Sequence, residues 1–117
     1  MIFVALDREF EDKSARQVSA PDGHLIAVYR LGGDFYATDE LCTHGEGWLS
    51  EGEMCGYEIM CPLHGGAFDI RTGQATQSPC HIPLATYRVV QKDGMIFVDV
   101  PSPGTVSELI SRSSAEG

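Results

Sequence analysis

Short apolar segments separated by glycine-rich turns run through most of the chain, and this pattern predicts β-strands rather than helices. The predicted strands are Met1–Leu6, Leu25–Arg30, Phe35–Thr38, Tyr57–Met60, Ala67–Ile70, Thr86–Gln91 and Met95–Val100. Lys92-Asp93-Gly94 separates the last two, and an Asp-Gly pair is typical of a tight hairpin. Strands this short, joined by such turns, predict an all-β fold, either a small antiparallel sandwich or a barrel.

Helix signals are few. Asp7–Ala15 is charged and predicts a loop or a single turn. A chain of 117 residues with 43% apolar content suits one compact domain. Pro101-Ser102-Pro103-Gly104 ends the last strand, so we expect one domain over residues 1–100 and a tail over 101–117. The tail sequence permits a short helix over Thr105–Arg112, capped by Thr105 or Ser107.

The charge balance excludes several classes of partner. Eight Lys and Arg residues against seventeen Asp and Glu residues give a net charge of −9. Nucleic acids and anionic membranes both require a basic surface, so we expect neither as a partner. The chain has no apolar run of about eighteen residues, and its N-terminus lacks the features of a signal peptide. We therefore expect a cytoplasmic protein.

Two short motifs in the middle of the chain combine cysteine and histidine. They are Cys42-Thr43-His44 and Cys61-Pro62-Leu63-His64, with sixteen residues between His44 and Cys61. Pro62 restricts the backbone of its loop, and the glycines that follow each histidine permit tight turns. Each motif is short enough to bring a thiolate and an imidazole to one point. The motifs therefore predict two loops that close on a metal centre.

The spacing alone leaves two kinds of metal centre open. Two thiolates and two imidazoles suit a tetrahedral zinc ion. They equally suit a two-iron cluster with cysteine ligands on one iron and histidine ligands on the other. Zinc sites more often draw two cysteines from one loop and two histidines from another, whereas each loop here supplies one of each.

The two motifs together resemble the signature of the Rieske [2Fe–2S] family. The flanking segments Phe35–Thr38, Leu49–Gly52 and Phe68–Gly73 are also similar to those of Rieske ferredoxins, and the resemblance extends from about Leu25 to Val100. It implies an antiparallel β-sandwich with a small inserted cluster-binding subdomain at about residues 41–69.

The resemblance also implies the ligands of one [2Fe–2S] cluster per chain. Cys42 and Cys61 would bind the inner iron, and His44 and His64 would bind the outer iron near solvent. With two thiolates and neutral imidazoles, the cluster carries a charge of 0 when oxidised and −1 when reduced. This favours electron acceptance relative to an all-cysteine cluster. All four ligand positions are used, so the resemblance implies an electron carrier and not an enzyme.

Departures from the respiratory branch of the family predict a low reduction potential. That branch carries two further cysteines joined as a disulfide, where this chain has Gly47 and Leu63. It also carries a serine and a tyrosine that donate hydrogen bonds to the cluster, where this chain has Gly66 and Phe68. Fewer donors stabilise the reduced state less. We therefore expect a potential near the low end of the Rieske range, about −150 mV.

The resemblance implies a ferredoxin that transfers electrons from an NAD(P)H-dependent flavoprotein reductase to a terminal Rieske non-haem iron oxygenase acting on aromatic rings. Two alternatives remain open: the small subunit of a nitrite-reductase-like complex, and a zinc-stabilised binding module. From Leu31 to Ile70 there are eight acidic residues and no Lys or Arg. This stretch is either a solvated face or an acidic rim that steers the cluster toward basic partners.

The remaining cysteines and histidines lack ligand spacing. We expect Cys55 and Cys80 to be small, buried or half-buried side chains. His81 is expected to have a structural or surface role, and His24 to be solvated in a turn. Trp48, four residues after His44, is expected to shield the cluster, to form part of a docking face or to pack its loop.

Overall fold

The fold was taken from a computed structural model that describes residues 1–21, 23–42, 47–62, 66–78 and 82–100. Within these ranges the chain forms ten β-strands and two 3₁₀ turns, Asp7–Glu9 and Leu49–Glu51. The strands are β1 (Ile2–Leu6), β2 (Ser14–Ser19), β3 (Leu25–Leu31), β4 (Asp34–Asp39), β5 (Glu53–Cys55), β6 (Glu58–Met60), β7 (Ala67–Asp69), β8 (Ala75–Gln77), β9 (Thr86–Lys92) and β10 (Met95–Asp99).

Six of these strands form an antiparallel base sheet in the order β1-β10-β9-β4-β3-β2. Strand β9 joins the two halves of the sheet, because it pairs with β4 at Thr86 and Tyr87 and with β10 further along. Asp93 and Gly94 both have positive φ, at 53° and 75°, in the turn between β9 and β10. This confirms the predicted Asp-Gly hairpin.

The base sheet folds over itself to enclose one core. Ala5 on β1 packs in the same cluster as Ile26 and Val28 on β3, although these strands lie near opposite ends of the sheet. The base core consists of Ala5, Phe10, Ile26, Val28, Phe35, Ala37, Ile96 and Val98. The prediction of an antiparallel β-sandwich is therefore confirmed.

The other four strands form a small antiparallel sheet in the order β5-β6-β7-β8, inserted between β4 and β9. A second core joins this sheet to the base, and it consists of Ala27, Tyr29, Cys42, Leu49, Ile59, Cys61, Phe68, Ile70 and Leu84. Successive side chains of a strand point to opposite faces. Strand β3 therefore contributes Ile26 and Val28 to the base core, and Ala27 and Tyr29 to the second core.

The seven predicted strands are confirmed, but three further strands were not predicted. Strand β2 begins at Ser14, within the segment Asp7–Ala15 that was predicted as a loop or a turn. Its sequence, SARQVS, is largely polar because β2 is an edge strand of the described sheet, paired with β3. Strands β5 and β8 are the edges of the small sheet and have three residues each.

The predicted tail helix over Thr105–Arg112 lies outside the described residues. No helix in the described part of the chain has the length and apolar character needed to cross a membrane.

Candidate cluster-binding site

The second predicted ligand loop is the tip of the hairpin formed by β6 and β7. Ile59 pairs with Phe68, and Met60 pairs with Ala67. One step further along the hairpin, the N–H of Cys61 donates a hydrogen bond of 2.7 Å to the carbonyl of Gly66. Cys61 is therefore the first residue of a loop that is closed at its base by a backbone hydrogen bond.

The first predicted ligand loop is closed in the same way. The N–H of Cys42 donates a hydrogen bond of 2.9 Å to the carbonyl of Gly47, again five residues later. Leu41 and Trp48 form a β-bridge behind this bond, and the N–H of Leu49 donates to the carbonyl of Glu40 at 2.8 Å. Cys42 and Cys61 thus occupy equivalent positions in two loops of equal length.

Both thiols lie in the second core. Cys42 is 2% exposed and Cys61 is 1% exposed, and both pack in one cluster with apolar residues that include Leu49, Ile59 and Phe68. Two buried cysteines in one apolar core fit the cysteine-ligated iron of a Rieske cluster. When bound, such a cluster accepts and releases one electron.

His44 and His64 lie outside the described residues. Among the residues that the structure does describe, no group of three or more His, Cys, Asp or Glu side chains comes together. The described residues therefore include only the cysteine half of the predicted ligand set, and all four ligand assignments remain predictions.

A close backbone contact links the segments that support the two loops. Gly52 directly follows the 3₁₀ turn Leu49–Glu51 and approaches β6 so closely that a Cβ atom on it would lie 1.9 Å from the carbonyl oxygen of Met60. Met60 directly precedes Cys61. Only glycine permits this approach, which fixes the return segment of the first loop against the start of the second.

Not every acidic residue between Leu31 and Ile70 lies at the protein surface. Glu40 is fully buried, in contrast to both interpretations of this stretch as an exposed acidic face. Its carboxylate is satisfied by hydrogen bonds from Gln17 and Ser50. The one sequence feature that could have indicated a role for Glu40 is its position two residues before Cys42. Glu51 and Glu53 are exposed and border a shallow groove beside Cys61 and Pro62.

A second acidic residue of this stretch is neutralised at the far end of the β6–β7 hairpin. Arg71 forms an ion pair of 2.8 Å with Asp69. Hydrogen bonding to the Arg71 side chain holds the pKa of the Asp69 carboxyl below its usual value. The Arg71 guanidinium also lies over the ring of Tyr57, 3.8 Å from its centroid.

Gly66 and Phe68, the two positions from which a low reduction potential was predicted, have no side chain that can donate a hydrogen bond. Phe68 is fully buried in the second core, and Gly66 supplies the carbonyl that accepts the Cys61 hydrogen bond. This arrangement agrees with the low potential predicted from the sequence, which remains a prediction.

The remaining predicted residues have mixed outcomes. Cys55 is exposed, so the prediction of a buried or half-buried side chain was wrong; it lies on edge strand β5, before a turn at Gly56. The His24 side chain is 44% exposed, as predicted, and it contacts Asp39 and Tyr87. Trp48 is 38% exposed and pairs with Leu41 at the base of the first loop. Cys80 and His81 lie outside the described residues.

An all-β domain with two cysteine-bearing loops, each closed by a backbone hydrogen bond, fits a protein that binds a metal cluster, and comparison with known proteins identifies the family. The model of the Rieske [2Fe–2S] domain matches residues 1–88. The chain is 51% identical over 85 residues to the ferredoxin component of the p-cumate 2,3-dioxygenase system of Pseudomonas putida, covering 72% of each chain.

Solved structures agree with this match. The Sphingomonas yanoikuyae B1 ferredoxin superposes with a TM-score of 0.80 at 39% identity, over 86% of this chain and 98% of that one. A chain in the complex of reduced oxygenase and oxidized ferredoxin in carbazole 1,9a-dioxygenase also gives a TM-score of 0.80, at 41% identity, over 83% of this chain and 90% of that one.

The chain therefore belongs to the Rieske [2Fe–2S] domain family. Its cofactor is a Rieske-type [2Fe–2S] cluster, so the zinc-stabilised module is set aside. Its function is that of a ferredoxin, an electron-transfer component and not an enzyme. The relatives favour this function over the alternative of a nitrite-reductase-like subunit.

Proposed function

We propose that Cys42, His44, Cys61 and His64 bind the [2Fe–2S] cluster, with the cysteines on the inner iron and the histidines on the outer iron. The observation that carries this assignment is the equivalence of the two loops. Each begins with a buried cysteine whose N–H is bonded to the carbonyl five residues later. In each motif the histidine follows the cysteine by two or three residues, so each loop supplies one ligand of each kind.

We further propose that the protein accepts one electron from an NAD(P)H-dependent flavoprotein reductase and delivers it to a terminal Rieske non-haem iron oxygenase. In this proposal the oxygenase is a dioxygenase that acts on an aromatic compound, because relatives are named as ferredoxin components of such systems. We also propose that the protein lies in the cytoplasm.

The surface beside the second loop is suited to a basic partner. Glu51 and Glu53 are exposed next to Pro62, and no Lys or Arg occurs between Leu31 and Ile70. Leu41 and Trp48, which flank the first loop, are also exposed, at 47% and 38%. Exposed apolar side chains together with exposed acidic ones are typical of a surface that binds a partner transiently and is steered by charge.

Reconstitution tests this function. The oxidised protein is mixed with NADH or NADPH and a flavoprotein reductase of a ring-hydroxylating system, and its visible absorption is followed. We expect bleaching by one electron per chain, then recovery when a terminal oxygenase, its aromatic substrate and oxygen are added. A protein that is reduced but is not reoxidised by any such oxygenase would contradict the proposed partner and leave the electron-carrier function intact.

A further inference from the structure

The two ligand loops are supported unequally. Behind Cys61, strands β6 and β7 continue as a ladder of three residue pairs, from Met60–Ala67 to Glu58–Asp69. Behind Cys42, the ladder has one bridge, Leu41–Trp48, and one further backbone bond, from Leu49 to Glu40. The chain then enters the 3₁₀ turn Leu49–Glu51 and cannot continue the ladder.

The carboxylate of Glu40 lies where the first ladder stops. A helical turn leaves its first N–H groups without partners inside the turn. The N–H of Ser50 donates instead to Oε1 of Glu40 at 2.8 Å, and the Ser50 hydroxyl donates to Oε2 at 2.5 Å. The side chain of Glu40 thus replaces the backbone pairing that a second strand would have supplied.

The same carboxylate reaches the base sheet. Nε2 of Gln17, on edge strand β2, donates to Oε2 of Glu40 at 2.8 Å. The backbone N–H of Glu40 donates to the carbonyl of Leu25 at the start of β3. Glu40 therefore connects the base sheet to the return segment of the first ligand loop, two residues from Cys42.

Burying the carboxylate of Glu40 costs folding free energy. Its side chain is fully buried, and none of the ion pairs between described residues involves it. A buried carboxylate without a cation is unfavourable unless its oxygens are hydrogen-bonded, and three donors satisfy this one. A neutral apolar residue would fill the same space without that cost, so packing alone does not explain Glu40.

We propose that Glu40 is a positioning residue for the cluster: its carboxylate ties Ser50 to Gln17 and so fixes the first ligand loop, and Cys42 with it, relative to Cys61. This proposal rests on the assignment of Cys42 as a ligand. Glu40 acts through the loop and does not touch the cluster itself.

The test uses the full-length holoprotein and three variants. Glu40→Ala removes the connection. Glu40→Gln keeps an acceptor for the Ser50 N–H, and the Gln17 amide can rotate to accept from the new amide group. Glu11→Ala removes an exposed carboxylate that precedes β2, outside both ligand loops, and is the matched control for charge.

Three measurements distinguish positioning from a merely structural role: the rate of iron release to a chelator, the EPR spectrum of the reduced cluster, and amide hydrogen exchange at Ser50. We expect Glu40→Ala to release iron about tenfold faster or more, because the buried donors of Ser50 and Gln17 lose their acceptor. Its EPR spectrum should shift and broaden, and Ser50 should exchange faster by a similar factor. Glu40→Gln should restore all three to near the wild-type values, and Glu11→Ala should not differ from wild type.

Two results would overturn the proposal. One is a Glu40→Ala protein that retains iron and the wild-type EPR spectrum as well as Glu11→Ala does. The other is a Glu40→Gln protein as impaired as Glu40→Ala, because a neutral acceptor should suffice. If Glu40→Ala takes up no cluster, Ser50→Ala provides a milder test, with a smaller change expected in the same direction and an unchanged spectrum counting against the proposal. A wild-type protein without a Rieske spectrum would instead refute the ligand assignment, and Ser50 exchange would still report on Glu40.

Discussion

Replacing Gly52 with alanine should separate the supports of the two ligand loops. A Cβ atom at this position would lie 1.9 Å from the carbonyl oxygen of Met60, 3.1 Å from its carbonyl carbon and 3.2 Å from the carbonyl oxygen of Leu49. All three atoms belong to the backbone, so no side-chain rotation can relieve the clash. Met60 directly precedes Cys61, and Gly52 ends the return segment of the first loop.

The size of the effect follows from two opposing terms. An ordinary contact between carbon and oxygen is roughly 3.3 Å, so Met60 and residue 52 must move apart by about 1.4 Å. Overpacking of this kind costs about 1–3 kcal/mol. The φ of Gly52 is −81°, which alanine adopts without strain, and the loss of unfolded-state freedom returns only about 0.4–1 kcal/mol. We therefore expect a net destabilisation of about 1–2 kcal/mol, together with faster loss of the cluster.

Denaturant unfolding and cluster absorption measured on the same samples test this prediction. Gly33→Ala is the matched control, because a Cβ on Gly33 would meet nothing within 4 Å and its φ is not in the left-handed region. That variant should be as stable as wild type or slightly more stable. If Gly52→Ala matches Gly33→Ala in both stability and cluster retention, the reasoning about the contact with Met60 is wrong.

Four further predictions follow from the site. His64→Ala should abolish the Rieske visible and EPR spectra, whereas His81→Ala should retain both; equal spectra in the two variants would refute the assignment of His64. The midpoint potential from a redox titration should lie near −150 mV, the low end of the Rieske range, and a clearly positive value would contradict the argument from Gly66 and Phe68. Arg71 holds the pKa of Asp69 below its usual value. Asp69 therefore contributes stability above the unfolded pKa of about 3.9, and this contribution is lost as pH falls through the lower folded pKa. Wild type should be more stable than Asp69→Asn at neutral pH, but not at the acid end of a series of unfolding measurements. Electron transfer to the oxygenase should slow when ionic strength rises from about 0.01 M to about 1 M, which shortens the Debye length from about 30 Å to about 3 Å, and a rate that does not change would remove the steering role of Glu51 and Glu53.

Five of the six strands of the base sheet were predictable, because their buried faces leave an apolar signal in the sequence. Leu25–Leu31 is apolar along nearly its whole length, since its two faces line two different cores. Strand β2 was missed for the opposite reason. It is an edge strand with largely polar residues, and its partner β3 decides its conformation.

The two loops were predictable from spacing, but their supports were not. The motif Cys42-Thr43-His44 is visible in the sequence, whereas the burial of Glu40 depends on Gln17 and Ser50, which are 23 and 10 residues away. The contact between Gly52 and Met60 is likewise made between different elements. The exposure of Cys55 follows from its place on an edge strand, which its own residue type does not reveal.

The most direct test of the central claim is electron–nuclear double resonance on the dithionite-reduced protein, with and without ¹⁵N-labelled histidine. If two histidines bind one iron, we expect two nitrogen nuclei with strong hyperfine coupling to the cluster, and these couplings should change when the histidines carry ¹⁵N. They should be retained in His24→Ala and His81→Ala and be lost with the cluster in His44→Ala or His64→Ala. A reduced cluster with no histidine coupling, or with couplings unaffected by replacing His44 and His64, would contradict the account.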